Sequence, residues 1–275
     1  ETAFAPQAEL TEAESLFFVG IGGAGMATLA RVLHPQGKRV RGPDSTPSPL
    51  IDQMRAAGID ITIGHSPEGI QPGDAVVLTD AIDLKTSPEV ARARELDLPL
   101  FRRSQVLGHL VTGHRLIAVT GTHGKTTTTG MVGAGLRATG SDPVIVVGAE
   151  VAEFGGAVIW GAGDVAAVEA CEAYDSFHDL NPFIVILTNL ELDHVDFHGS
   201  WENLRDSVTR FVSKIPADGC LIYCAEDAGA CEIAGRFKAR SLGFSAAVLA
   251  DFAGSGFSLR QKGPHNELNA AGALT

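Results

Sequence analysis

The sequence predicts an α/β chain of two domains, and three observations carry that expectation. Short β-branched apolar runs alternate with helix-compatible segments, a glycine-rich loop (VGIGGAGM) follows an apolar strand at residues 19–26, and a second loop (VTGTHGKTTTTGM) follows another at 119–131. Parallel strands covered by helices read this way, because each strand is buried on both faces and each crossover returns through a helix.

In order along the chain, strands are expected at 16–20, 38–42, 59–64, 74–79 and 98–101. A new series begins with RLIAVT at 115–120 and continues at 143–147, 164–169, 183–188 and 219–223. The segment 105–114 carries the boundary, giving domains 1–108 and 109–275. Trp201, Leu204, Val208, Phe211 and Val212 lie three to four apart, which predicts an amphipathic helix facing a core. Beyond Arg240, AVLADF (247–252) and GFSLR (256–260) predict antiparallel edge strands, and HNELNAAGAL (265–274) predicts a further helix.

Composition narrows the function. With 45% hydrophobic and 20% charged residues the chain is globular. It has no unbroken apolar window of the roughly 18 residues that a membrane span needs. A net charge of −12 repels phosphodiester backbones, so no nucleic-acid partner is expected. The acidic leading segment lacks the basic head and apolar middle of a secretory signal, so a cytoplasmic location is expected. Cys171, Cys220, Cys224 and Cys231 lack paired metal-ligand spacing and read as reduced thiols.

In the first loop Gly20, Gly22 and Gly25 satisfy G-x-G-x-x-G between a strand and a helix, and Asp44 follows after the next strand. Such glycines let a diphosphate approach a helix N-terminus, and such an acid accepts a ribose hydroxyl. A glycine turn that only packs strand against helix fits the same residues, and so does a nicotinamide site.

The second loop adds charge and a metal ligand. Gly121 and Gly124 let backbone N–H groups converge on phosphate oxygens, Lys125 brings a cation, and the Thr126 hydroxyl suits Mg²⁺. Val119 stands where the strict P-loop rule has its first glycine. Threonines from Thr126 onward are poor helix starters, and phosphate contacts explain them, Thr127 included. Further metal ligands belong at neighbouring strand ends, where Glu169 and the pair Asp193 and His194 stand.

FFVGIGGAGM, GTHGKTTTT, VEACEAYDSF, TNLELDHVDFHG and HNELNAAGAL, in this order and spacing, resemble the hallmarks of the Mur ligase family, from about Phe17 to Leu274. The likeness is nearest to the branch that joins L-alanine to UDP-N-acetylmuramate. It implies a Rossmann-like UDP-sugar domain, then a P-loop ATPase-type α/β domain with extra antiparallel strands. It also implies an ATP-dependent carbon–nitrogen ligase of peptidoglycan precursor synthesis that uses ATP and Mg²⁺. Carried over by position, Gly121, Thr122, His123, Gly124, Lys125, Thr126 and Thr127 hold ATP phosphates, with His265 and Asn266 at the adenine. Thr126 and Glu169 hold one Mg²⁺ and His194 a second; His123, inside the loop, either approaches an acyl phosphate or is a hydrogen-bonded loop histidine, and Lys125, His123, Glu169 and His194 form the expected catalytic set. Gly22, Gly23, Ala24, Gly25, Met26, Asp44 and Arg103 surround UDP-muramic acid.

The sequence departs from the family pattern at several places. Cys171 replaces an aspartate while Glu172 is kept, TDAID (79–83) replaces a serine pair, and the interval 257–265 is short. A third domain, carrying the amino-acid site, would lie beyond Thr275. A sister ligase that recycles a peptide, and a non-catalytic UDP-sugar or nucleotide binder, stand as alternatives.

Overall fold

The structure is a computed structural model describing residues 4–79, 82–191, 198–252, 258–260 and 262–275. It divides into two compact units, Glu1–Leu110 and Val111–Thr275.

Unit 1 holds a five-stranded sheet in the order β3-β2-β1-β4-β5, formed by β1 (Ser15–Phe18), β2 (Arg39–Asp44), β3 (Asp60–Ile63), β4 (Asp74–Leu78) and β5 (Leu100–Arg102). Every pairing is parallel. All five β4 residues are buried, as a strand covered on both faces requires. The crossovers are α1 (Ala24–Leu33), α2 (Pro49–Ala56) and α3 (Pro88–Glu95), and α4 (Arg103–Leu110) follows β5. Because β2 and β4 flank β1 on opposite sides, the loop after β1 opens at a topological switch point, where open α/β sheets bind ligands.

Unit 2 is a seven-stranded sheet in the order β12-β11-β10-β6-β9-β7-β8. Its strands are β6 (Arg115–Thr120), β7 (Val144–Val151), β8 (Gly156–Trp160), β9 (Val165–Glu169), β10 (Ile184–Leu187), β11 (Cys220–Cys224) and β12 (Ser241–Phe244). Among the described residues only β7 and β8 pair antiparallel. The helices are α5 (Lys125–Ala138), α6 (Trp201–Val212), α7 (Ala228–Arg236) and α8 (Pro264–Leu274). Leu204, Val208, Phe211 and Val212 of α6 are all buried, as their spacing predicts.

The antiparallel strands do not lie where the sequence suggested. Residues Ala246–Phe252 form a 3-10 helix; of the second expected strand, residues 256 and 257 lie outside the described residues and 258–260 form no strand. A short apolar run fits helix or strand equally until its partners are known. The antiparallel ladder is instead the β7–β8 hairpin, and β12, also unanticipated, pairs parallel with β11.

Candidate active site

Register brings the second loop's neighbours to one edge. β6 pairs with β9 so that Val119 faces Glu169, and with β10 so that Thr120 faces Leu187. Glu169 and Thr188 therefore emerge beside Gly121.

Gly121 and Gly124 take φ of +132° and +81°, a region that side chains rarely adopt. Close neighbours reinforce the requirement: a Cβ on Gly121 would lie 2.3 Å from Thr188 Oγ1, and one on Gly124 2.3 Å from Asn269 Oδ1. The backbone between them is clamped from β10. Asn189 Oδ1 accepts from His123 N at 2.8 Å, while Asn189 Nδ2 and Thr188 Oγ1 donate to the His123 carbonyl at 3.0 and 2.7 Å. The Thr122 hydroxyl accepts from Glu191 N at 2.9 Å and donates to Glu191 O at 3.1 Å.

The start of α5 is open by construction. Helices α2, α3, α6 and α7 are capped by the side chains of Ser48, Ser87, Ser200 and Asp227, whereas Gly124 offers α5 no capping side chain. The first-turn N–H groups of α5 thus have no capping acceptor, which is the arrangement that receives an anion.

Lys125 reaches back over the loop. Its Nζ donates to Gly121 O at 2.6 Å and Thr122 O at 3.1 Å, and pairs with Glu172 Oε2 at 3.1 Å. Thr126 Oγ1 donates to Glu169 Oε2 at 2.8 Å, and Gly148 N donates to the same oxygen at 2.6 Å.

An unusual turn follows Glu172. Tyr174 and Asp175 both have φ of +56°, a conformation costing each about 1–2 kcal/mol relative to the right-handed region. Packing and polar contacts with α6 hold the turn: Phe177 stacks on Phe211 at 4.5 Å, Ser207 Oγ donates to Asp175, and His178 Nε2 lies 3.0 Å from Ser207 Oγ. Beside Glu172, burial and that carboxylate push the Cys171 thiol above its ordinary value.

A cleft of about 630 Å³ opens from the loop, lined by His123, Gly124 and Thr127 on one side and by His265, Asn266 and Asn269 of α8 on the other. Its volume lies within the usual range of about 300–1,000 Å³ for small-ligand pockets. Cys224, Glu226 and Asp227 also line it. Asn266 is buried and donates through Nδ2 to Lys262 O at 3.3 Å, while His265 is exposed.

Gly121 to Thr127, Glu169, His265 and Asn266 thus lie along one loop and cleft. His194 and Asp193 lie outside the described residues, as do Asp80 and Ala81 of the segment 79–83. Glu172, Asn189, Thr188 and Asn269 are contributors that sequence reasoning assigned no role. All four lie within the motifs that carry the family likeness, and Asn269 also sits three residues after Asn266, on the same helix face.

Divalent-cation chemistry fits the donor set. Among the described residues no group of three or more His, Cys, Asp or Glu side chains could hold a metal ion. Mg²⁺ needs no such group, because it is held through one or two carboxylates together with phosphate oxygens and water. A hydroxyl and a carboxylate 2.8 Å apart beside a phosphate-type loop meet that description.

In unit 1, Gly20 has φ of +76°, and Gly20 N and Ile21 N both donate to Pro43 O at 3.0 Å. Asp44 braces the loop, its Oδ2 accepting from Gly22 N at 2.8 Å and its Oδ1 from Thr46 N at 3.0 Å. A Cβ on Gly25 would lie 3.0 Å from Arg103 Cδ, so glycine there leaves room for the Arg103 stem at the start of α1. Gly23 and Ala24 are exposed. The Met26 side chain is 2% exposed and belongs to the core, leaving only its backbone for a ligand.

Comparison with known proteins matches residues 16–115 to the Mur ligase family, catalytic domain, and residues 119–268 to the Mur ligase middle domain. The UDP-N-acetylmuramate--L-alanine ligase of Rubrobacter xylanophilus is 41% identical over 209 residues, covering 76% of this chain and 46% of that protein. The crystal structure of UDP-N-acetylmuramate-alanine ligase from Thermotoga maritima superposes with a TM-score of 0.77 at 26% identity, over 94% of this chain and 64% of that one. That of UDP-N-acetylmuramate:L-alanyl-gamma-D-glutamyl-meso-diaminopimelate ligase from Neisseria meningitides gives 0.81 at 20% identity, over 95% and 92%, a likeness of fold. The chain spans about half the length of the curated relatives it matches. With both sheets matched, and the middle-domain match alone covering more than half of its residues, the chain belongs to the Mur ligase family.

Proposed function

We propose that this chain supplies the UDP-sugar and ATP sites of an ATP-dependent ligase that joins L-alanine to UDP-N-acetylmuramate. The observation that carries the reading is the 41% identity to a protein of that name across both units. The loop geometry supports it. Unit 2 has a phosphate-type loop with a lysine whose side chain is only 12% exposed, a hydroxyl–carboxylate pair suited to Mg²⁺, and an adjoining cleft of nucleotide size.

The reaction transfers the γ-phosphoryl group of ATP to the sugar's lactyl carboxylate, forming an acyl phosphate and ADP. The amine of L-alanine then attacks the acyl carbon, and phosphate leaves as the amide forms. Two anions must meet in the first step, so positive charge and fixed donors must lie between them. Lys125 and the open N–H groups of α5 serve that purpose on the protein side, and His123 lies beside the transferred group. When bound, Mg²⁺ at Thr126 and Glu169 would supply further positive charge between the phosphates. In unit 1 the loop Gly22–Met26 and Arg103 would receive the UDP diphosphate, with Asp44 setting the loop's shape. Cys224, Glu226 and Asp227 of the 630 Å³ cleft, with His265 and Asn266, would receive the nucleoside.

The test uses the full-length protein with UDP-N-acetylmuramate, ATP and Mg²⁺, following phosphate release with L-alanine or with a peptide as acceptor. L-alanine-dependent release, abolished by Lys125→Ala while UDP-sugar binding is kept, is the expected result. Preference for the peptide would move the chain to the recycling branch. Normal ligation by Lys125→Ala would overturn the assignment of the loop.

A further inference from the structure

We infer that Gly148 is a positioning residue whose backbone N–H and missing side chain fix the Glu169 carboxylate for metal binding. The inference rests on the reading of Glu169 as a metal ligand.

The strand ladder is broken to make this contact. β7 runs parallel to β9 through Val144 and Ala166, Ile145 and Ala167, and Val146 and Val168. On its other edge β7 pairs with β8 at Val146 and Val158, and next at Val151 and Gly156. Between these pairs β7 advances five residues (146 to 151) while β8 advances two (158 to 156), so β7 bulges where it passes Glu169. Bulges free backbone groups from the ladder and recur beside active sites. The freed N–H is that of Gly148, donated to Glu169 Oε2 at 2.6 Å.

Both bonds to Glu169 fall on one oxygen, Gly148 N at 2.6 Å and Thr126 Oγ1 at 2.8 Å. Among the described residues Oε1 makes no hydrogen bond and is the oxygen left for a cation. A threonine hydroxyl carries one donor and two lone pairs, so Thr126 can keep its bond to Oε2 and still ligate. Gly148 thereby sets which carboxylate oxygen faces the metal.

Its lack of a side chain is the second half of the argument. A Cβ on Gly148 would lie 2.6 Å from Oε1 and 2.7 Å from both Cδ and Oε2 of Glu169. The clash involves only the end of a flexible side chain, so the carboxylate can swing away at little cost to folding. A methyl group here should therefore spoil the ligand and spare the fold.

The experiment compares wild type and Gly148→Ala by calorimetric titration with Mn²⁺–ATP and with ATP in EDTA, alongside thermal denaturation of the metal-free chain. The expected result is a loss of about 10-fold to 100-fold in Mn²⁺–ATP affinity, the range for groups that orient metal ligands, with the EDTA titration unchanged and the midpoint kept. In a Glu169→Gln background, Gly148→Ala should add nothing. Equal Mn²⁺–ATP affinity of wild type and variant would overturn the inference. So would a variant that fails to fold, since the carboxylate must be what yields. A wild-type chain indifferent to metal would instead overturn the reading of Glu169 as a ligand.

Discussion

Lys125 Nζ lies 3.1 Å from Glu172 Oε2, and the two side chains are 12% and 2% exposed. The lysine that would meet phosphate is thus held by a carboxylate that solvent hardly reaches. Charges this deep depend on each other, and removing one partner from a buried pair costs about 3–5 kcal/mol because the other is left uncompensated. Glu172→Gln should lower the stability of the chain by about that amount. The double variant Lys125→Met/Glu172→Gln should lose less than the sum of the two singles. Urea denaturation of the four proteins measures the coupling, and strict additivity would show that the pair is spectator to the fold.

This pair also marks what the sequence hides. Glu169 was legible because an acidic residue closing a buried strand must emerge at the sheet's carboxyl edge. The loop was legible because glycines, lysine and hydroxyl stand at fixed offsets between strand and helix. Glu172 meets Lys125 beside a turn in which Tyr174 and Asp175 adopt positive φ, which no local propensity announces, and that turn is bonded by Ser207 of α6 some thirty residues later. Asn269 meets Gly124 only once α8 has docked on α5. Within the β7–β8 hairpin only β8 goes unread, and Ala246–Phe252 reads as a strand, because short apolar runs have no period to decide their type.

Gly124 should not tolerate a side chain. Its φ of +81° alone costs an L-residue about 1–2 kcal/mol, and the added methyl would sit 2.3 Å from Asn269 Oδ1. Gly124→Ala should therefore lose at least about 1 kcal/mol of stability and weaken ATP binding, because the loop N–H groups shift with the turn. Pairing it with Asn269→Ala should recover the steric part and leave the backbone part. Denaturation and nucleotide titration of both variants check this, and full recovery in the double variant would show that φ contributes nothing.

Unit 1 should carry an acid-labile element at Glu89. This carboxylate is 1% exposed and accepts from His65 Nδ1 at 2.9 Å and Ser87 Oγ at 3.0 Å. Burial works to raise its pKa, but hydrogen bonds from His65, its own backbone N–H and Ser87 outweigh burial and hold it below the ordinary 4.5. A depressed folded-state value adds stability that is fully present above the ordinary value and lost as pH falls through the folded one. The stability gap between wild type and Glu89→Gln should accordingly shrink as pH falls below 4.5. Urea midpoints of both proteins across that interval test the sign, and a gap that widens with acid would refute it.

Cys171 should be the slow thiol of the site despite its partial exposure. Burial and the Glu172 carboxylate raise its pKa, so little thiolate forms near neutral pH, and the thiolate is the nucleophile. Iodoacetamide at neutral pH should alkylate the exposed Cys231 well before Cys171, as peptide mass mapping over time would report. Glu172→Gln removes the nearby negative charge and should speed alkylation of Cys171, whereas Glu232→Gln, close to Cys231 in sequence, should leave Cys171 unchanged. If Glu172→Gln left the rate at Cys171 unaltered while the fold survived, its slowness would belong to burial alone, and the carboxylate of Glu172 would have no electrostatic reach beyond Lys125.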